Sequence, residues 1–310
     1  MNKLIITFES IPTYSFAIID LNERKITHKK KKIDELKTDT VITEGHQLPF
    51  RPYGVDYDSD YIYVVCHEKM VLFDKQNFEY VKNLNVKLFV NTHQMVKQNN
   101  VLYICNTTND SIGVYDIQTG EQHFIDMKSK SLTDKVVESF NPNNERLLLT
   151  EHDEYHISSL TVYDNKVYFC CGLSKYRNTL KSKYYYFDLL INEFVEIISA
   201  GNLGHNVCIV DNILYSLSSS THELLKINLT TRELTTYPVL RLKSAEFIRG
   251  MEVYGDDLLI GHSERKHGYR DPNDDIKNAY LSTFNMKTES QSFFMSLNGI
   301  QMISDFKLYE

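Results

Sequence analysis

"HQMVKQNNVLYICNTTNDSIGVYD", from His93 to Asp116, holds two short apolar strands around Asn99-Asn100, a polar stretch, and a third strand ending in Asp. Nearly the same phrase returns as "HNVCIVDNILYSLSSSTHELLKIN" from His205 to Asn228. Three more units align on the same turn: "YGVDYDSDYIYVVC" from Tyr53, "SSLTVYDNKVYFCC" from Ser158 and "RGMEVYGDDLLIGH" from Arg249. Ten residues after each start stands Tyr63, Tyr103, Tyr168, Tyr215 or Leu259. Asp, Asn or Gly fills the turn between the two strands, as a tight hairpin requires.

Each unit continues with a third strand ("KMVLFDK", "SIGVYDI", "YYYFDLL", "ELLKINL", "YLSTFNM") and a fourth ("FEYVKNL", "EQHFIDM", "EFVEIIS", "ELTTYPV", "SQSFFMS"). Four antiparallel strands per repeat of roughly forty residues is the signature of a β-propeller blade. Helical periodicity is nearly absent, which excludes α-solenoids. "GIQMISDFKLYE" reads as one innermost strand, and "NKLIITFE", "YSFAIIDL" and "KITHKKKKI" as three outer strands without an innermost partner. Joined, the two ends complete a sixth blade and remove the exposed edges of an open sheet. The expected fold is therefore all-β, a single six-bladed propeller over 1–310. Its blades span about 52–90, 92–127, 156–199, 203–240, 248–297, and 299–310 with 3–35.

Apolar residues make up 42% and charged residues 24%, the balance of a folded globular chain. The formal charge of −7 argues against a generic nucleic-acid binder, which carries a basic footprint. Lys29 to Lys32 in "KITHKKKKIDELK" form a local basic run, read as the exposed outer edge of the closing blade, where lysines discourage edge pairing. No stretch approaches the ~20 apolar residues that span a bilayer, and the first residues do not form a signal peptide. Cys66, Cys105, Cys170, Cys171 and Cys208 sit in apolar strand-like runs with no CxxC, as buried reduced thiols would. The expectation is a cytoplasmic protein without membrane contact. Heavy use of Lys, Asn, Ile and Tyr is the pattern of AT-rich genomes, as in many viruses and low-GC bacteria; a viral origin would make the compartment the host cytoplasm.

Loops entering each innermost strand and loops leaving each second strand share one face of a propeller. Two departures from the repeat fall there: 128–156, and 262–279 with "HSERKHGYRDPNDDIKNA". Long loops in compact folds are functional or disordered, and both on one face favours function. The same face collects the strand-start set Tyr53, His93, Ser158, His205 and Arg249, with His156 two residues before Ser158. It also collects the second-strand ends Cys66, Asn106, Cys171, Ser218 and His262, followed by His67, Glu68, Lys175, Arg177, Glu264 and Arg265.

Three chemistries fit this convergence. The first is a divalent metal held by His93, His156 and His205, which with an open position would suit catalytic Zn or Fe. Against it, no local HxH spacing supports chelation, and histidines at blade starts also bond neighbouring backbone. The second is an anion site in which Arg249 is the principal residue, because an arginine entering a propeller core needs a partner there. Tyr53, Asn106, His262, Arg177, Glu264 and Arg265 would complete it. The third is nucleophilic catalysis, for which there is no GxSxG, and Cys66-His67 closes an apolar strand. Glu151, Asp153 and Glu154 could supply a general acid or base, or simply be solvated loop charges.

"HQMVKQNNVLYICNT", "HNVCIVDNILYSL" and "RGMEVYGDDLLIGHS" resemble an uncharacterised group of predicted propeller proteins, whose blades open with His and, later, with Arg-Gly. The resemblance covers most of the chain and implies the fold and the weight of the blade-start His and Arg positions, with no activity attached. "SIGVYDIQTGE", Ser111 to Glu121, is similar to the strand-turn of many bacterial propellers, streptogramin lyases among them. That likeness implies a His and a divalent ion at the channel mouth. The gluconolactonase and paraoxonase class uses carboxylate and Asn ligands; no aligned set of that kind occurs, although Asn106 lies near the right depth. Sialidase boxes and WD repeats need Trp, which this chain lacks.

The leading expectation is binding of a polar or anionic small molecule or peptide at the channel mouth. The alternatives are a metal-dependent lyase or hydrolase using His93, His156 and His205 as ligands or bases, and a protein-interaction platform gripping a partner through loops 128–156 and 262–279.

Overall fold

The second and third strands of each repeat are the most apolar, and they set the blades by burying both faces. "YIYVVC", "VLYICN", "KVYFCC" and "ILYSLS" each have one part-buried residue followed by five buried ones. The fourth strands, such as "YVKNL" and "LTTYP", are largely exposed. A continuous apolar run inside and a polar strand outside is what a sheet packed face to face in a ring demands.

The structure is a computed structural model that describes residues 3–10, 13–30, 41–42, 46–47, 52–66, 69–86, 92–134, 154–172, 181–242, 247–263, 278–300 and 302–309. The chain opens with β1 (Lys3–Ser10), β2 (Thr13–Asp20) and β3 (Lys25–Lys30), then a two-stranded ribbon, β4 (Val41–Ile42) and β5 (His46–Gln47). The first blade is β6 (Gly54–Tyr57), β7 (Tyr61–Cys66), β8 (Lys69–Asp74) and β9 (Tyr80–Leu84). The second is β10 (Thr92–Gln98), β11 (Val101–Asn106), β12 (Ser111–Asp116) and β13 (Gln122–Asp126), with a short fifth strand, β14 (Ser131–Thr133), on its outer edge. The third is β15 (Ile157–Tyr163), β16 (Lys166–Cys171), β17 (Lys183–Asp188) and β18 (Glu193–Ser199). The fourth is β19 (Gly204–Val210), β20 (Ile213–Ser218), β21 (Glu223–Asn228) and β22 (Leu234–Pro238). The fifth is β23 (Phe247–Tyr254), β24 (Asp257–Ser263), β25 (Ala279–Asn285) and β26 (Gln291–Leu297). The sixth runs β27 (Met302–Tyr309), β1, β2, β3, so both ends of the chain build one sheet.

The inner strands pack in the cyclic order β6, β10, β15, β19, β23, β27 and back to β6, which closes the ring. The chain is a six-bladed β-propeller. One apolar cluster fills each of the six interfaces between neighbouring blades. Tyr63, Tyr103, Tyr168, Tyr215 and Leu259 each lie in the cluster facing the next blade, 0–6% exposed. Burying each such side chain stabilises the ring by roughly 1.5–3 kcal/mol.

Both hairpin layers follow local chemistry. Asp164-Asn165 and Asp211-Asn212 hold φ of 49–63°, the left-handed pair that a two-residue hairpin needs. All six third strands end in Asp or Asn: Asp20, Asp74, Asp116, Asp188, Asn228 and Asn285. Each side chain accepts from the backbone N–H two and three residues on and so folds the outer turn. β3 is the outer edge of the sixth blade, with Lys29 Nζ donating to Gly299 O and Lys30 3.4 Å from Glu79; Lys31 and Lys32 lie outside the described residues. Among the described residues no helix is long and apolar enough to cross a membrane.

Candidate functional site at the channel mouth

Residue pairs at the start of the inner strands place side chains at the channel. In β10, Thr92 pairs with Asn106 and Met95 with Ile104, so His93 and Gln94 together oppose Cys105. Bulges recur with Ser158 in β15, Asn206 in β19, Arg249-Gly250 in β23 and Ser304 in β27. In β6, Gly54 pairs with Val65 while Tyr53 N–H donates to Val65 O. A bulge turns consecutive side chains away from strict alternation. The result is two tiers from six residue pairs: Tyr53, His93, Ser158, His205, Arg249 and Ser304 above; Gly54, Gln94, Ser159, Asn206, Gly250 and Asp305 below. The sequence motifs YG, HQ, SS, HN, RG and SD are these pairs.

The lower tier closes the channel. Gln94 Nε2 and Asn206 Nδ2 donate to Asp305 Oδ1 at 3.1 and 3.2 Å, joining the second, fourth and sixth blades. Gln94 Oε1 accepts from Leu160 N–H and Asn206 Oδ1 from Gly250 N–H. The other three blades contribute Gly54, Ser159 and Gly250, which are small. Gly250 has φ +86°, and a Cβ there would stand 2.4 Å from the Phe306 ring. Burial pushes the Asp305 carboxyl up to about 7, against the pull of nearby Lys307. Below, Lys307 Nζ lies 3.2 Å from Glu252 Oε2. Burial opposes the Lys307 charge, but Glu252, Asp56 and Asp305 outweigh it and hold the ammonium well above its ordinary range.

The upper tier is an arc of rings ending in a cation. The Arg249 guanidinium carbon lies 5.8 Å from the Tyr53 ring centre, reaching from the fifth blade across the sixth to the first. Tyr53 stacks on His93 at 4.8 Å and 22°, and His93 meets the His156 ring edge-on at 5.3 Å. Arg249, His93 and His205 are buried, and Tyr53 and His156 are half-buried. His205 Nδ1 lies 2.8 Å from Leu203 O, a carbonyl that only accepts, so Nδ1 carries the proton and Nε2 is the acceptor nitrogen. Phe247 packs edge-on against the His205 ring at 5.5 Å.

Asp110 delivers His156. It follows a single 3-10 turn (Thr107–Asn109) and adopts the left-handed conformation at φ 51°. Its buried carboxylate accepts from Glu154 N–H at 2.7 Å, Tyr155 N–H at 2.9 Å and His156 N–H at 3.1 Å. Thr107 Oγ1 adds a 2.7 Å bond to Ile157 O. The entry to the third blade is thus fastened to the second. Neither Asp110 nor the lower tier stood out in the sequence. The available signals were the polar run "NTTNDS" and the second residue of each strand-start pair.

Of the expected site residues, Tyr53, His93, His156 and Arg249 come together, and His205 stands with Phe247 at the same level. Asn106 and His262 do not reach the mouth. Asn106 is the last residue of β11 and His262 the last but one of β24; both side chains enter the interior, and both are 0% exposed. Asn106 packs beside Gly113, and neither of its amide atoms has a hydrogen-bond partner among the described residues. His262 Nε2 is 2.7 Å from Ser282 Oγ, and burial, then the neighbouring His222, lower it to about 3. His67, Glu68, Lys175, Arg177, Glu264 and Arg265 lie outside the described residues, as do 135–153 and 264–277 of the two long loops. Among the described residues no three His, Cys, Asp or Glu side chains gather as a metal ion would require.

No family model matches the chain, and no curated protein matches it. Solved structures do. A chain in the crystal structure of a nidogen/laminin complex superposes with a TM-score of 0.63 at 8% identity, covering 99% of this chain and 97% of that one. A protein of unknown function from Bacteroides caccae gives 0.62 at 11% identity, covering 100% and 99%. At such identities the likeness is one of fold.

Proposed function

We propose that the mouth binds a polar small molecule or peptide through an anionic group held by Arg249. The observation that carries this reading is the guanidinium held over Tyr53 at the top of a closed channel. A guanidinium carries a planar set of N–H donors whose geometry and charge match a carboxylate or phosphate. Hydrogen bonds across the lower tier make the site a blind cup that takes the end of a ligand rather than a threaded chain. The ring wall of Tyr53, His93 and His156 suits the flat or apolar part of the same ligand.

A competing concavity of about 430 Å³ lies on the opposite face, between the fourth and fifth blades. Its cations are already matched, Lys226 by Glu289 and Lys287 by Asp256, so it offers a ligand less. A metal-dependent lyase or hydrolase draws less support, because His93 and His156 approach each other while His205 bonds within its own blade. Five free thiols suit a reducing compartment, and cytoplasmic action goes with this proposal.

The test is isothermal titration of acetate, succinate, amino acids and inorganic phosphate into wild type, Arg249→Gln and Tyr53→Ala. The proposal expects at least one anion to bind and to lose ten-fold or more in Arg249→Gln. Anion binding that Arg249→Gln leaves unchanged, or none at all, would refute it.

A further inference from the structure

Resting on the mouth reading, we propose that its ligand end is a free α-amino carboxylate, with the carboxylate on Arg249 and the ammonium on Asp305. Arg249 reaches across the sixth blade to Tyr53, so the floor beneath its path is the β27 pair Ser304-Asp305. Both side chains are buried, at 3% and 0% exposure. Both carry an oxygen with no hydrogen-bond partner among the described residues: Ser304 Oγ and Asp305 Oδ2. Buried polar atoms gain by being paired, and these two lie on consecutive residues of one inner strand, where the polar end of one ligand could satisfy both.

The chemistry of the two oxygens selects that group. Gln94 and Asn206 have spent amide protons on Asp305 Oδ1, and the Val55 and Phe306 backbone N–H groups also act on the carboxylate, while Oδ2 has no hydrogen-bond partner among the described residues and can accept from a ligand donor. A cationic donor fits best, since a buried carboxylate gains most from a charge-assisted bond. Ser304 Oγ–H can donate to the ligand carboxylate beside Arg249. Ser304 and Asp305 are consecutive residues, with Cα atoms about 3.8 Å apart. That short step suits ligand charges on neighbouring atoms rather than at the two ends of a long chain. A bare metal ion fits poorly, because among the described residues no group of three His, Cys, Asp or Glu side chains gathers around Asp305. A phosphate dianion would meet the Asp305 charge with repulsion.

The reading carries its own pH signature. Asp305 faces Lys307 on its own strand, Glu252 on β23 and Cys105 on β11, with the neutral amides of Gln94 on β10 and Asn206 on β19 and the backbone N–H groups of Val55 and Phe306. With its carboxyl pushed up to about 7 by burial, its ionised fraction rises from about a tenth at pH 6 to about nine-tenths at pH 8. Ammonium binding needs the ionised form, so amino-acid affinity should rise about ten-fold over that interval.

The experiment titrates the twenty amino acids into wild type at pH 6 and pH 8, alongside N-acetylated and deaminated forms of the tightest binder. Asp305→Asn and Ser304→Ala are then compared. The expected result is one or more amino acids bound, a ten-fold or greater loss on acetylation or deamination, and no rise between pH 6 and 8 in Asp305→Asn. Equal binding of the acetylated form, or binding of plain carboxylates alone, overturns this inference and leaves the mouth reading standing. If no carboxylate of any kind binds, both fall. The wild-type ligand series decides the matter even if Asp305→Asn fails to fold.

Discussion

Asp110→Asn isolates the contact that brings His156 to the mouth. Asn tolerates the left-handed backbone at φ 51°, so the change spares the turn and alters only the side chain. The carboxylate now accepts three backbone N–H bonds, two at Oδ1 and one at Oδ2. Hydrogen bonds to a charged group are worth roughly 1.5–3 kcal/mol each and neutral ones about 1. Asn keeps the two Oδ1 bonds in weakened form and turns an NH2 toward Glu154 N–H, donor against donor. Because residues 154–156 are part-buried, water recovers some of the loss, and the net cost is about 3 kcal/mol. Unfolding entropy scales to ~0.65 kcal/mol/K for 310 residues, so Tm should fall by about 5 °C in calorimetry. Affinity for any mouth ligand should fall with it, since His156 is released from His93. A Tm within 1 °C of wild type would show that the three bonds do not hold the 154–156 segment in solution.

Acid titration should reveal two buried groups that oppose one another. Asp305 keeps a proton in the fold up to about 7 and loses it near 4 when unfolded, so its contribution declines as pH rises between those values. His262 stays neutral in the fold down to about 3 but takes a proton below about 6.5 when unfolded, so its contribution falls as pH falls. From about pH 4.5 to 6.5 the two nearly cancel. Urea midpoints should therefore make Asp305→Asn more acid-sensitive than wild type and His262→Asn less so, each by ~1–3 kcal/mol over the interval; parallel curves for all three proteins would contradict it. Gly250→Ala should cost more than ~2 kcal/mol in chemical denaturation, since φ +86° and the Phe306 ring both reject a Cβ; a loss below about 0.5 would mean the bulge relaxes freely. Leu190 and Ile191, 74% and 66% exposed at the outer turn of the third blade, stand where the other blades place polar residues. Leu190→Ser with Ile191→Thr should leave stability within ~0.5 kcal/mol of wild type and reduce self-association in sedimentation; a large stability loss would show that the turn is covered.

The blades were legible because each repeat carries its own local evidence. The Tyr63-type position, the Asp-Asn hairpin turns and the apolar second strands all report a sheet before any long-range contact is considered. The joint sixth blade was legible from its missing parts, three outer strands at one end of the sequence and one inner strand at the other. The mouth was legible only in part. Tyr53, His93, His205 and Arg249 could be picked out as first residues of their strand-start pairs, but the bulges are set by pairing with the second strand and leave no pattern of their own. For that reason Gln94, Asn206 and Asp305 went unseen, although their hydrogen bonds span three blades. Asn106 and His262 share a repeat position with the mouth loops. Strand alternation turns them inward, a one-residue distinction that a repeat alignment cannot resolve. Asp110 escaped notice because its partners are backbone N–H groups more than forty residues away.

The most direct test of the mouth site is a crystal structure of the protein with the tightest-binding carboxylate from the titration series. A carboxylate within ~3.2 Å of the Arg249 guanidinium, above the Gln94–Asp305–Asn206 bonds, is the predicted result. The same ligand seated in the opposite-face cleft beside Asp211 and Lys226, with Arg249 untouched, would contradict the account.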